Sequence, residues 1–206
     1  ALQDGFIQVA FMIITIIANQ RGLNDAAAVG IVEKIISFLF LIPSSMLSTV
    51  SALGAQNIGA GKRQRANETL RYAVMITVGF GIIVGIFMQF FASPVVALFT
   101  DASDASGAEV VRLGGQYLRG YVWACMFAGI HFSFSGYFCA CGKSGISFLH
   151  NIIAITLVRI PGVYLTSTLF PDTLFPMGLA TAAGSLLSAI ICVVAFTILN
   201  QKERQK

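Results

Sequence analysis

Long uncharged apolar runs, separated by short polar clusters, set the pattern of this chain. No charged residue falls between Ile35 and Ile58, between Tyr72 and Thr100, or between Leu174 and Asn200. Runs of that length do not fit together inside a small soluble core, whereas about 20 apolar residues suffice to cross a bilayer. Polar breaks at 21–25, 59–71, 101–109, 142–145 and 171–172 divide the chain into six predicted membrane helices, at about 2–19, 26–56, 72–99, 116–142, 146–170 and 174–200. The expected fold is an all-α membrane protein, a bundle of six transmembrane helices forming a single unit over residues 1–206.

Local signals refine the elements. Gly22 suits a helix stop, and Asn24 or Asp25 the next N-cap. Ser106 and Glu109 have capping-box spacing, which predicts a short surface helix leading through Arg112 and Tyr117 into the fourth span. Pro43 in the second span and Pro161 in the fifth remove helix hydrogen bonds and predict kinks or gating points. Small residues recur at helical spacing at Ser44, Ser48, Ser51 and Ala55, and again at Ala180, Gly184, Ser188 and Cys192. Such rows predict faces where a neighbouring helix comes close, and the Gly81–Gly85 pair is a weaker signal of the same kind.

Composition supports the membrane reading. The 206 residues are 56% hydrophobic and only 11% charged, against about 25% charged in soluble domains, and the mean hydropathy is +0.82. The net charge of +4 does not point to nucleic acid, because the cations flank the spans. With six spans both ends share one side, which carries Lys62, Arg63, Arg65, Arg71, Lys143, Lys202, Arg204 and Lys206. The other side has Arg21, Arg112 and Arg119, so the first is expected to be cytoplasmic. Cys125, Cys139, Cys141 and Cys192 lie within apolar runs, where small buried side chains are expected rather than a metal site or disulfides. The chain opens on Ala1 with no methionine or leader before the first apolar run, so a piece of a longer protein is expected.

Charges at membrane depth are costly, about 2.5–3.5 kcal/mol or more each, and mark functional candidates. Glu33, Lys34 and Arg159 stand out. Glu33 lies about eight residues into its span, roughly 12 Å from the outer end, and Arg159 is midway along the fifth. Two readings of Glu33 stand. It binds a proton, a sodium ion or a cationic substrate in a wet cavity, or it makes a fixed ion pair with Arg159 that specifies packing. Lys34 is on another face of the helix and needs a separate partner or must snorkel. His131, at the centre of the fourth span, is either a proton-coupling group or a neutral core histidine bonded to a serine. Gln3, Gln8, Asn19, Gln89, Asn151 and Thr156 are further cavity-lining candidates. No HExxH, DxxxD or serine elbow suggests an enzyme, and no cofactor is indicated.

The loop Ala55-Gln56-Asn57-Ile58-Gly59-Ala60-Gly61-Lys62 separates two of the longest runs. It is not a P-loop. Gln56 stands where the first glycine belongs, and Arg63 where Ser or Thr holds magnesium. With Ala66 four positions on, it resembles the cytoplasmic loop of multidrug and toxic compound extrusion (MATE) transporters, in which glycine stands at the place of Ala55. The resemblance extends to Ala1-Leu2-Gln3, Val32-Glu33-Lys34, Pro43, Leu98-Phe99-Thr100 and Tyr117-Leu118-Arg119, and covers essentially the whole chain. It implies the C-terminal six-helix lobe of a twelve-helix secondary antiporter in the bacterial inner membrane. Such a protein exports organic cations or amphipathic drugs in exchange for protons or sodium, with an N-terminal lobe as partner. The motif residues carried over are Gln56, Gly59, Gly61 and Lys62. Some branches place cation-binding acids in the first and fourth spans of this lobe. This chain has Ile7 and Gln8 near the first position and no acid in the fourth span. Val32-Glu33-Lys34 resembles another bacterial branch and favours Glu33. A lipid-linked oligosaccharide flippase of the same superfamily is the alternative, though it would want more cations inside than Lys34 and Arg159. A purely structural membrane subunit is a third reading.

Overall fold

A computed structural model describes the backbone of residues 2–100 and 103–204 and the side chains of residues 5–100 and 103–201. Among these residues there are helices and turns and no strand. The helices are α1 (Leu2–Arg21), α2 (Leu23–Leu39), α3 (Leu41–Gly59), α4 (Arg63–Ala97), α5 (Ala105–Tyr121), α6 (Ala124–Ala140), α7 (Ser144–Ala154), a π-helical segment (Ile155–Arg159), α8 (Ile160–Leu169) and α9 (Phe175–Arg204). Four rods are long and apolar enough to cross a membrane: Leu23–Gly59, Arg63–Ala97, Ser144–Leu169 and Phe175–Gln201. The pair α5 and α6, bent by 41°, makes a fifth, and Gly5–Arg21 is a shorter apolar helix.

The turns follow from local chemistry. After α3 the chain closes with Gly61 N–H on the Ile58 carbonyl (3.0 Å) and Lys62 N–H on the Asn57 carbonyl (2.8 Å). Gly61 is left-handed, at φ 72°. This is a Schellman turn, with glycine where an L side chain would be strained. Gly142-Lys143 repeats it after α6, with Gly142 at φ 69° and Lys143 N–H on the Phe138 carbonyl. The glycine stretch is therefore shorter than expected: only 60–62 are non-helical, and α4 starts nine residues before the expected span at 72. The charged residues 63–71 are good helix formers, so the helix outlasts the apolar run. For the same reason α9 continues to Arg204, into the expected solvated tail.

Several local expectations are corrected. Asp104, not Ser106, caps α5, accepting from Gly107 N–H at 2.7 Å. The Ser106 hydroxyl instead bonds Asn24 at 2.8 Å. Nor is there a separate surface helix, because α5 runs unbroken to Tyr121 and already buries Val110 and Leu113. Gly22 caps α2 without a side-chain bond, since Asp25 is held by Arg21 at 2.9 Å. Of the Ser44, Ser48, Ser51 and Ala55 row, Ser51 is half-buried with its backbone against Gly136 of α6, while the other three are exposed. The buried face of α3 is Pro43, Val50 and Gly54, and the serines turn their hydroxyls onto their own helix, as with Ser48 on the Ser45 carbonyl at 2.9 Å.

Helix α6 is the axis of the bundle and packs against α3, α4, α7 and α9. At Gly81 the α4 and α6 backbones approach so closely that a Cβ would lie 2.5 Å from Met126 Cα. The core has two apolar clusters. One gathers Ile14, Val32, Ile36, Tyr117, Tyr121 and Met177 among others; the second contains Val50, Leu70, Phe134, Tyr137, Phe138 and Cys192. Along α6 the buried members of the first cluster end at Cys125 and those of the second begin at Phe134, with His131 and Ser133 buried between. Along α9 the first cluster ends at Ala182 and the second begins at Cys192, with Ser185 and Ser188 between. A polar layer thus crosses the middle of the bundle. Outside, α4 exposes Ile76, Ile83, Ile86 and Phe90, a continuous apolar face of the kind that meets lipid.

Candidate functional site

The polar layer is built around Arg159. Pro161 has no N–H for the Leu157 carbonyl, and its ring crowds that turn. The helix widens into the π segment 155–159 just ahead of it, as happens where one residue is accommodated out of phase. This turns Arg159 inward. Gly184 on α9 makes room, since a Cβ there would lie 2.8 Å from Arg159 Cβ. Arg159 is 8% exposed. Its Nη2 donates to the Tyr121 hydroxyl at 2.6 Å, and its guanidinium lies 4.9 Å from the Phe11 ring centroid and 5.7 Å from that of Tyr121. Arg159 Nε is buried without a partner.

Glu33 sits on α2 facing α1. Thr15 donates to its Oε2 over a long 3.4 Å, and its Oε1 is buried and unpartnered. Among the described residues no ion pair joins Glu33 and Arg159, so the fixed packing pair is not formed. Phe11 borders both, its face taking the guanidinium and its ring also lining the grooves at Glu33. Two open grooves flank Glu33, both lined by Gln8 and Phe11. One adds Met12, Thr15 and Ile16; the other adds Gly30, Lys34 and Ser37. Behind Phe11 lies a cavity of about 180 Å³, walled by Arg159, His131, Asn151 and Ser185 with Ile7, Phe40, Phe132 and Ile155.

The other sequence candidates are placed as follows. Lys34 and Gln8 are exposed in the groove beside Glu33. The side chain of Gln3 lies outside the described residues. His131 is buried, and its Nδ1 has no partner, so the serine-bonded core histidine is not His131. That arrangement belongs to His150, 2.8 Å from the Ser135 hydroxyl and 2.5 Å from that of Ser188. The two histidine rings are 5.6 Å apart. Asn151 lines the cavity with its Nδ2 unpartnered. Gln89 and Arg119 exchange bonds at 3.0 and 3.1 Å and clasp α4 to α5. Pro43 follows the interruption at Phe40 between α2 and α3. Of the loop motif, Gly61 and Lys62 border a shallow depression with Arg63, Gln64, Arg65 and Glu68, separate from the Glu33 grooves and the Arg159 cavity. Neither His150 nor Tyr121 is marked by the sequence, because their partners lie 15 to 38 residues away.

Four likenesses, one to a family profile and three to known proteins, bear on this arrangement. The MatE family profile matches residues 2–165. The "Probable multidrug resistance protein YpnP" of Bacillus subtilis is 25% identical over 166 residues, 81% of this chain and 36% of that protein. The "FAD transporter" of Shewanella oneidensis is 27% identical over 171 residues, 82% of this chain and 36% of that protein. Among solved structures, that of MATE in complex with MaL6 superposes with a TM-score of 0.90 at 16% identity, over 100% of this chain and 45% of that one. The chain therefore spans about a third of the length of these curated relatives and has the fold of one lobe of a two-lobe transporter.

Proposed function

This chain belongs to the MatE family, and on that premise we propose that it is the C-terminal lobe of a secondary antiporter that exports amphipathic drug-like molecules against protons or sodium. The multidrug resistance relatives favour this reading, and the FAD transporter widens the range of substrates beyond cations. In it the lobe is a multi-pass unit of six spans in the bacterial plasma membrane, with both ends cytoplasmic. The N-terminal lobe covers the open side of α1–α3, where Gln8, Lys34, Ser37, Ser44 and Ser48 are exposed between apolar neighbours.

The observation that carries the proposal is Glu33: a half-buried carboxylate with one oxygen unpartnered, opening onto grooves on that side. Oxygen left without a donor at membrane depth is expensive unless something binds it. A proton or a sodium ion neutralises it, and so does the positive end of a substrate, but not two of them at once. That exclusion is antiport. Each occupant shifts the balance between outward and inward states only by its difference in affinity for them. Besides the 41° bend between α5 and α6, the interruption at Phe40 ahead of Pro43 and the π segment ahead of Pro161 are places where a rod can hinge.

The test is efflux of ethidium from vesicles carrying the full-length protein, with proton and sodium gradients imposed separately, comparing Glu33 with Glu33→Gln. Loss of gradient-driven efflux at normal expression supports the assignment, and the effective gradient names the ion. Efflux unchanged by the substitution removes Glu33 from the coupling step.

A further inference from the structure

The cavity behind Phe11 is chemically unlike the grooves in front of it. Three side chains, each more than nine-tenths buried, carry a polar atom that has no partner among the described residues: Arg159 Nε, Asn151 Nδ2 and His131 Nδ1. They come from α6, α7 and the π segment, and all three wall one space of about 180 Å³. Buried polar groups are nearly always paired, so three unpaired atoms around one cavity mark a missing ligand better than any of them alone. The charge fixes its sign. Among the described residues the guanidinium contacts the neutral Tyr121 hydroxyl and two aromatic faces, Glu33 acts on it through its charge without a direct bond, and no carboxylate is among the cavity's lining residues. Glu33 opens onto the grooves that Phe11 also lines. Apart from Ser37 and Ser185, the remaining wall is largely apolar and aromatic, with Phe40, Phe132 and Ile155.

We propose that this cavity binds an amphipathic anion, an aromatic carboxylate whose ring lies among Phe11, Phe40 and Phe132 and whose oxygens take hydrogen bonds from Arg159 Nε and the Asn151 amide. A carboxylate suits Arg159 because its lone pairs meet the planar fork of guanidinium donors. His131 donates a third bond from Nδ1 in the matching tautomer. This lobe then holds two sites of opposite polarity within one helix bundle, a carboxylate for cations and a guanidinium for anions, both bordered by Phe11. The proposal rests on the transport reading for its purpose, but its test does not depend on transport.

The experiment is binding of 2-naphthoate to the full-length protein in nanodiscs of zwitterionic lipid at neutral pH. 2-Naphthalenemethanol and 2-naphthylmethylammonium carry the same rings with neutral and cationic heads. The expected result is naphthoate binding at least tenfold tighter than either. Arg159→Gln lowers it to the level of the neutral compound, Arg159→Lys retains part, Asn151→Leu weakens it several-fold, and Glu33→Gln, which removes a nearby negative charge, does not weaken it. If Arg159→Gln does not fold, the three compounds on the unaltered protein and the Asn151→Leu variant still decide. Equal or tighter binding of the ammonium compound overturns the proposal, as does naphthoate binding indifferent to both Arg159 and Asn151. Selective naphthoate binding together with efflux unaffected by Glu33→Gln keeps this site and removes the coupling assignment. The converse result keeps the coupling assignment and removes this site.

Discussion

Arg21 ends α1, yet its side chain serves the far end of α8. Its Nη1 donates to the Ser167 and Phe170 carbonyls at 2.8 and 3.1 Å, and its Nη2 to those of Pro171 and Thr173 at 2.7 and 3.4 Å. Its Nε holds Asp25 at 2.9 Å. The last carbonyls of a helix have no intrahelical donor, so α8 is capped by a residue from another rod. Arg21→Ala removes all five bonds at once. The bonds to Phe170 and Pro171 are exposed, and water replaces them at little cost. The bond to Ser167 and the Asp25 pair are partly buried, and bonds to charged groups contribute about 1.5–3 kcal/mol each. Losses within one network are not additive, so the expected destabilisation is about 3 kcal/mol. At about 2–4 °C per kcal/mol for a domain of this size, that lowers the unfolding midpoint by roughly 6–12 °C. Cys125 and Cys192 are free and fully buried, so a maleimide dye that fluoresces on reacting with thiols reports unfolding in detergent without any label being engineered. Arg21→Lys, a point charge without the planar fork, falls between the two. A midpoint for Arg21→Ala within about 1 °C of the unaltered protein, at most about half the shift a single kcal/mol gives, refutes the capping argument.

Two further outcomes use the same assay. Gly81→Ala puts a Cβ against the α6 backbone at Met126 and costs about 1–3 kcal/mol by overpacking. Gly79→Ala on the same helix meets nothing within 4 Å and is neutral or stabilising by about 0.4–1 kcal/mol. His150→Phe leaves the Ser135 and Ser188 hydroxyls unpartnered and lowers stability by about 2 kcal/mol or more, and adding Ser135→Ala and Ser188→Ala returns much of it, because removing both partners of a buried bond costs less than removing one.

The rods were legible because apolar runs of membrane length have few alternatives. Their ends were less so. Arg63 and Arg65 are helical although hydropathy places them in a loop, because helix propensity does not stop where lipid stops. Glu33 and Arg159 were recognisable one by one from the cost of charge at membrane depth. Their relation was not. The π segment shifts the phase of Arg159 by a fraction of a turn, and no 3.6-residue count predicts that its hydroxyl partner is Tyr121 or that Phe11 borders both it and Glu33. The periodic serines of α3 revealed a face but not its direction, because small polar residues suit both a helix crossing and an open cavity wall. His150 carried no local signal at all. Its meaning comes from Ser135 and Ser188, which the bundle brings to its two ring nitrogens.

In the proposed transport cycle one carboxylate, Glu33, is shared in turn by the coupling ion and the substrate. This sharing is tested most directly by displacement. Purified full-length protein in weakly buffered detergent solution is mixed with ethidium while proton release is followed with a pH indicator, and the same addition is made after loading with radioactive sodium. Ethidium is expected to displace a proton or a sodium ion from the unaltered protein and neither from Glu33→Gln. Displacement of the same size from both proteins, or ethidium bound to the unaltered protein without displacing either ion, contradicts the account.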